Sequence, residues 1–250
     1  MGFGLFSSNS KPLIGVDISS SAVKMLELSI SSDGSGRVER YAIARLPREA
    51  VTEGTLTKPE AVEAAMREAW QALDTRTRDI VLALPASAVT AKKLILPMDA
   101  SEADIETQAI SEANQIVPFP MEEITLDFQV LGPSERSTND NEVLVVITRK
   151  DRVEERVAVA ESAGLKTMVM DVDTYATLRA FDQVSFQLPN EGKGQTVAIV
   201  DIGHTTTHVN IMYDNKPVYQ REHPFGGQIL TQEISRRFGL PWEEAEDAKC

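Results

Sequence analysis

The sequence is poor in cysteine and in positive charge, and it has no long apolar run. Its one cysteine, Cys250, excludes a disulfide framework and is typical of a protein from a reducing compartment. The 25 lysines and arginines are outnumbered by 38 aspartates and glutamates, and the net charge of −13 would repel a nucleic-acid backbone. No apolar stretch approaches the roughly 20 residues that span a bilayer, and no secretory signal is recognisable. These absences predict a soluble, cytoplasmic protein that binds no nucleic acid and meets a membrane only through partners.

Two common phosphate-binding signatures are also missing. Gly192-Lys193-Gly194 is followed by Gln195 and lacks the earlier glycine of a Walker A loop, and no GxGxxG pattern follows a predicted strand. With 250 residues and 42% hydrophobic content, the chain can nevertheless bury a large core in more than one packing unit. A nucleotide site in this protein would therefore need a different kind of phosphate loop.

A pair of similar segments, residues 14–24 and 199–208, offers such a loop twice. Each is an apolar, β-branched run that ends in an aspartate, Asp17 or Asp201, and continues through small hydroxyl or glycine residues into a second alternating run. This pattern predicts a β-hairpin whose turn exposes backbone N–H groups and hydroxyls beside a carboxylate. Two such turns facing each other would hold a polyphosphate from both sides.

The residues of these turns suit a magnesium-bound polyphosphate. Asp17 and Asp201 would hold Mg²⁺ through water molecules, because this ion gives up its waters reluctantly. Aspartate also favours turns for local reasons, but the matched pair favours the metal site. The groups that could donate hydrogen bonds to the β- and γ-phosphates are those of Ser19, Ser20, Ser21, Gly203, His204, Thr205 and Thr206.

The rest of the chain alternates predicted strands and helices, which is typical of an α/β fold. Capping boxes beginning at Thr57 and at Ser101 predict two helices. Each helix is followed by two predicted strands, so residues 46–149 would form an α+β module inserted after the first three strands. The predicted domains are a first lobe in two parts, 1–45 and 150–190, the inserted module, 46–149, and a second lobe, 191–250.

Three segments resemble the actin-like ATPase superfamily and, within it, the PilM family of type IV pilus assembly proteins. They are residues 15–20, residues 112–120 (Glu-Ala-Asn-Gln-Ile-Val-Pro-Phe-Pro) and residues 225–231 (Phe-Gly-Gly-Gln-Ile-Leu-Thr). The segment 112–120 is the most specific of the three. The resemblance implies an α/β, actin-like (ribonuclease H-like) two-lobe ATPase core with an inserted FtsA-type α+β subdomain. It also implies a second lobe that is incomplete, as in a chain truncated at its C-terminus.

The resemblance implies further site residues. Positions that contact nucleotide in the family fall here on Lys24, Gly226, Gly227, Glu246 and Lys249. Positions near the attacking water fall on Asp173 and His208. The residue types alone leave simpler explanations open, namely an exposed strand lysine, a helix-capping aspartate and a surface ion pair three residues apart. A zinc site at His204 and His208 is not expected, because their spacing suits a helix and they lie on a turn and a strand.

The function that the resemblance implies is that of an adaptor with ATP and Mg²⁺ between its lobes and with weak or absent hydrolysis. The N-terminal cytoplasmic tail of PilN would enter a groove between the inserted module and the first lobe, linking the PilN/PilO platform of the inner membrane to the assembly ATPase. The protein would then be cytoplasmic and peripheral to the membrane through its partners. Two other interpretations stay open: a sugar-kinase-type phosphotransferase and an FtsA-like filament scaffold.

Overall fold

A computed structural model describes residues 12–31 and 36–249, so residues 1–11 and 32–35 and Cys250 lie outside the described residues. The strands are β1 (Ile14–Ile18), β2 (Ala22–Ile30), β3 (Gly36–Arg45), β4 (Val51–Thr52), β5 (Thr55–Leu56), β6 (Asp79–Leu84), β7 (Val89–Pro97), β8 (Ile124–Pro133), β9 (Asp140–Arg149), β10 (Lys166–Val172), β11 (Thr196–Ile202), β12 (Thr207–Tyr213) and β13 (Lys216–His223). The helices are α1 (Pro59–Leu73), α2 (Glu102–Ile116), α3 (Lys150–Ser162), α4 (Asp173–Asp182), α5 (Gly227–Phe238) and α6 (Trp242–Lys249).

The first unit is a five-stranded mixed sheet with the strand order β10-β6-β1-β2-β3. Strand β1 pairs antiparallel with β2 and parallel with β6, and β10 runs parallel to β6. Alternate residues of β1 are buried, Ile14 and Val16, because successive side chains of a strand point to opposite faces. Helix α1 packs on β2 and β3 and α3 packs on β10, which closes the core of this unit.

The inserted module is a three-stranded antiparallel sheet, in the order β7-β9-β8, with α2 beside it. The predicted capping box of α2 is present: the Ser101 hydroxyl accepts from the Asp104 N–H at 3.2 Å, and the Asp104 carboxylate accepts from the Ser101 N–H at 3.0 Å. Ile105 and Ala109 of α2 pack in a separate core with Val143 of β9. The module therefore has its own small hydrophobic core.

The inserted module begins later than the sequence analysis predicted. Helix α1 and strand β6 were assigned to it, but β6 pairs with β1 and β10 in the first unit, and α1 packs on the same sheet. The module starts only at β7. The predicted capping box at Thr57 is also absent, because α1 has Lys58 as its N-cap without a side-chain cap, and the Thr57 hydroxyl donates to the carbonyl of Thr55.

The second unit is the antiparallel sheet β11-β12-β13 with α5 and α6 packed against each other. It contacts the inserted module through an ion pair between Lys216 and Glu135. A short hairpin, β4–β5, packs against α3 of the first unit, where Arg156 donates to the Gly54 carbonyl at 2.6 Å and Arg152 donates to the Thr55 hydroxyl at 2.7 Å. None of the helices in the described part of the chain combines the length and the hydrophobicity needed to cross a bilayer.

Candidate functional site

The first predicted phosphate turn joins β1 to β2. Asp17 and Lys24 are opposite each other in the register of these strands, and Lys24 Nζ lies 3.0 Å from Asp17 Oδ2. More than half of each side chain is exposed, 53% for Lys24 and 56% for Asp17. An exposed ion pair contributes at most about 1 kcal/mol, so either group can change partner at little cost.

The three serines of this turn do different things. Ser19 closes the turn on itself, since its N–H and its hydroxyl donate to the Ala22 carbonyl at 3.0 and 2.9 Å. The Ser21 carbonyl accepts from the Leu46 N–H at 2.8 Å and so ties the turn to the end of β3. The Ser20 hydroxyl points away and lies 3.0 Å from the hydroxyl of Thr205. The two predicted phosphate turns therefore touch each other.

The second predicted turn joins β11 to β12 and supports the start of α5. The Gly203 N–H donates to the Thr206 carbonyl at 2.9 Å, which closes the turn. The Gly203 carbonyl accepts from the Gly227 N–H at 3.0 Å, and the His204 carbonyl accepts from the Gln228 N–H at 2.8 Å. The Gly226 backbone packs so closely that a β-carbon there would lie 2.5 Å from the His204 carbonyl oxygen.

Helix α6 brings charged groups to the same region. Glu246 accepts hydrogen bonds from the Thr231 hydroxyl at 2.5 Å and from Lys249 Nζ at 2.6 Å. Burial opposes ionisation of Glu246, but these two hydrogen bonds and the charge of Lys249 outweigh it, so its pKa is lowered. The pKa of His204 is lowered mainly by burial, against the charge of Glu246 and with the charges of Lys249 and Arg48. At neutral pH the His204 ring is therefore uncharged beside an ionised Glu246.

Asp173 opens α4 of the first unit, and His208 lies on β12 of the second unit. Asp173 is the first residue of α4, and its Oδ1 accepts from the Ala86 N–H at 3.0 Å and from the Thr174 N–H at 2.6 Å. Burial raises the pKa of Asp173, while the Thr174 hydroxyl, the charge of His208 and these two N–H groups oppose the increase. The carboxylate thus fixes the start of α4.

A cavity of about 790 Å³ lies where the three units meet. Of the predicted site residues, all of which the structure describes, Ser20, His204, Thr205 and Thr206 line it. Asp17, Lys24, Asp201, Glu246 and Lys249 do not contribute to its walls. Within residues 12–31 and 36–249, no group of three or more histidine, cysteine and acidic side chains converges as a metal site would. The predicted metal pair, Asp17 and Asp201, supplies only two carboxylates. A Mg²⁺ ion bound by them would take its other ligands from water.

Several residues of this cavity are not among the predicted site residues. Arg48, which follows β3, and Arg149 at the end of β9 both line it, and neither belongs to a recognisable motif. Val117 and Phe119 also line it, and they belong to the segment 112–120 that carries the family resemblance. That segment was the one available signal that the inserted module contributes to a site.

The sequence matches the protein family described as type IV pilus assembly protein PilM over residues 15–250. A solved structure described as a PilM-PilN type IV pilus biogenesis complex matches with a TM-score of 0.79 and 26% identity, covering 94% of this chain and 68% of that one. The ethanolamine utilization protein EutJ from Carboxydothermus hydrogenoformans matches with a TM-score of 0.54 and 15% identity, covering 95% and 60%. The second likeness shows the fold alone. Together these matches confirm the predicted α/β fold of the actin-like type.

Proposed function

Because the chain belongs to the family of type IV pilus assembly protein PilM, we propose that it is an adaptor of type IV pilus assembly that binds the cytoplasmic N-terminal tail of PilN. The matched structure described as a PilM-PilN complex supports this partner. The observation that carries the proposal is the cavity where the inserted module meets the other two units, because an adaptor needs a groove that can take a short segment of its partner.

The walls of this cavity suit an extended peptide. The module contributes Val89, Val117 and Phe119, whose side chains are at least partly exposed. Arg149 lies over the Phe119 ring at 5.0 Å, and its Nε is buried without a hydrogen-bond partner among the described residues. Apolar side chains of a peptide would pack on the hydrophobic wall.

Titration of a labelled peptide from the N-terminus of PilN into the protein tests the proposal. Phe119→Ala should weaken binding by about five- to thirtyfold, because a buried aromatic anchor at an interface is worth about 1–2 kcal/mol or more. Phe186→Ala is the matched control, since this side chain is 68% exposed and lies outside the cavity. Equal affinity for the two variants, or no binding to the wild-type protein, would contradict the proposal.

We also infer that ATP and Mg²⁺ bind between the two turns. The hydroxyls of Ser20 and Thr205 lie 3.0 Å apart from opposite units, so a phosphate oxygen that replaced their mutual hydrogen bond could accept from both. Asp17 and Asp201 would hold the ion through waters, and the bound phosphates would bridge the two units. Lys24, Gly203, Thr206, Glu246 and Lys249 would complete the contacts.

Calorimetric titration with a non-hydrolysable ATP analogue, with and without Mg²⁺, tests this second proposal. The double variant Asp17→Ala and Asp201→Ala should lose the magnesium-dependent part of the affinity. It should keep its thermal stability within a few degrees, because the Asp17–Lys24 pair is exposed. An unchanged magnesium dependence would refute the assignment of these carboxylates.

ATP hydrolysis should be weak or absent, because Asp173 already holds the start of α4. The rate of phosphate release measures this hydrolysis.

We propose further that the protein is cytoplasmic and reaches the inner membrane through its partners. PilN, within the PilN/PilO platform, would recruit it, and the assembly ATPase would meet it on the cytoplasmic side. Fractionation of cells with and without PilN tests this location. The protein should move from the membrane fraction to the soluble fraction when PilN is removed, and an unchanged distribution would argue for another anchor.

A further inference from the structure

The cavity is continuous from the inserted module to the second phosphate turn. Phe119 and Arg149 line one end, and His204 and Thr205 line the other. Arg48 also lines it, and its guanidinium lies 4.2 Å from the ring centre of Trp242 at the start of α6. A ligand in this cavity would therefore contact residues that connect the first unit to the second.

Arg48 belongs to a segment, residues 46–54, that hydrogen bonds hold at both ends and in the middle. At one end the Leu46 N–H donates to Ser21 of the first turn at 2.8 Å. At the other end Gly54 is held by Arg156 of α3 at 2.6 Å, and Val51 to Gly54 form a wall of the cavity. Between them, the Arg48 carbonyl accepts from Lys58 Nζ at 2.8 Å. The segment is thus both a wall of the peptide groove and a neighbour of α6.

Trp242, whose ring stacks against the Arg48 guanidinium, also contacts the second phosphate turn. The His204 ring meets the Trp242 ring edge-on, with ring centres 6.5 Å apart. Trp242 therefore contacts Arg48 of the groove segment and His204 of the second turn. A shift of segment 46–54 would change the environment of the indole ring, and a shift of the second unit would change the position of Arg48.

We propose that Arg48 and Trp242 are positioning residues for the peptide groove, and that their stack couples the groove wall to the second unit. The inference rests on the proposed binding of the PilN tail. With the stack intact, segment 46–54 is held in the conformation that faces the inserted module. Without it, the peptide must order this wall when it binds, which lowers its affinity.

The size of the effect follows from the exposure of Arg48. This side chain is exposed, and a cation–π contact at an exposed site is worth about 0.5–1 kcal/mol, which corresponds to about a two- to fivefold change in affinity. Arg48→Met removes the charge and keeps much of the apolar stem. Arg78→Met is the matched control, because Arg78 lies over Trp70, the other tryptophan, at 4.4 Å and outside the cavity.

The fluorescence of Trp242 reports on the coupling directly. The chain has two tryptophans, so one substitution leaves Trp242 as the only tryptophan emitter. In the full chain carrying Trp70→Phe, the tryptophan emission comes from Trp242 alone. A PilN N-terminal peptide with a fluorescent label is titrated to measure binding by anisotropy, and unlabelled peptide is titrated to follow the emission. The emission should change with the same midpoint as the binding, and Arg48→Met should abolish the change while binding weakens about two- to fivefold.

The outcomes separate the two proposals. Absence of anisotropy change with the wild-type protein would refute the binding of the PilN tail itself. Binding with unchanged Trp242 emission, or an emission response that survives Arg48→Met, would overturn the coupling alone. A double-mutant cycle of Arg48→Met and Trp242→Phe on peptide affinity does not depend on Trp70→Phe. Additive effects in that cycle would equally overturn the coupling.

Discussion

Replacing Gly226 by alanine should destabilise the protein far more than the same change at the neighbouring Gly227. A β-carbon at position 226 would lie 2.5 Å from the His204 carbonyl oxygen and 2.6 Å from that of Gly203, and these backbone atoms cannot swing aside. At position 227 the nearest atom is Lys249 Nζ at 3.4 Å, the end of a flexible side chain. Gly227 also begins α5, where alanine favours the helix more than glycine does.

The expected loss of unfolding free energy follows from the hydrogen bonds that would break if the backbone moved to relieve the clash. Moving the start of α5 away from the second turn removes the hydrogen bonds from Gly227 to Gly203 (3.0 Å) and from Gln228 to His204 (2.8 Å). At about 1 kcal/mol each, with about 1–3 kcal/mol for overpacking, Gly226→Ala should cost about 3–5 kcal/mol. For a chain of this size the melting temperature should fall by about 6–20 °C. Gly227→Ala should stay within about 1 kcal/mol of the wild type.

Urea unfolding and thermal melting, followed by far-ultraviolet circular dichroism, measure the difference. Gly15→Ala is a third reference, because the nearest atom to a β-carbon there is the Leu26 carbonyl oxygen at an ordinary 3.9 Å. Amide exchange should also accelerate in the second turn of Gly226→Ala and not in that of Gly227→Ala. Equal unfolding midpoints for the two neighbours would refute the close approach of α5 to the turn.

Three further predictions concern stability and are measured by urea unfolding. Glu27→Ala should cost about 2–4 kcal/mol, because this buried carboxylate accepts from the hydroxyls of Thr75 and Thr77 at 3.2 and 3.0 Å; a cost below 1 kcal/mol would contradict it. Ser101→Ala should cost about 1 kcal/mol through loss of the capping box, whereas Ser111→Ala within the same helix should not destabilise. Asp173 has a raised native pKa, so the wild type should gain stability relative to Asp173→Asn as the pH falls through that pKa toward 3.8; parallel pH profiles would refute this.

Local sequence patterns predicted most of the helices and strands. One predicted capping box that does not form shows where such patterns fail. The capping box predicted at Ser101 is formed, and α2 begins there as expected. The equivalent box at Thr57 is not formed. The N–H groups of Thr57 and Lys58 both donate to the Ala50 carbonyl, at 2.9 and 3.1 Å, and this contact with the preceding loop replaces the cap.

Membership of the inserted module depended on pairing that local patterns do not contain. Strand β6 alternates buried and partly buried residues as β9 of the module does, but it pairs in parallel with β1 and β10. Parallel partners are distant in the sequence, so a residue-by-residue pattern cannot choose between two sheets. The helix–strand–strand repeat was therefore placed in one module when its first copy belongs to the first unit.

The sequence by itself determined the two acidic turns and the family segment at 112–120, because each depends on residues close together in the chain, and the resemblance that these segments carry indicated the fold. Only the tertiary structure decided that Ser20 meets Thr205, that Arg48 stacks on Trp242 and that Phe119 lines the same cavity as His204. These pairs join different units of the fold. Their members become neighbours only when the units pack, since no spacing in the sequence encodes the distance between two separately folded surfaces.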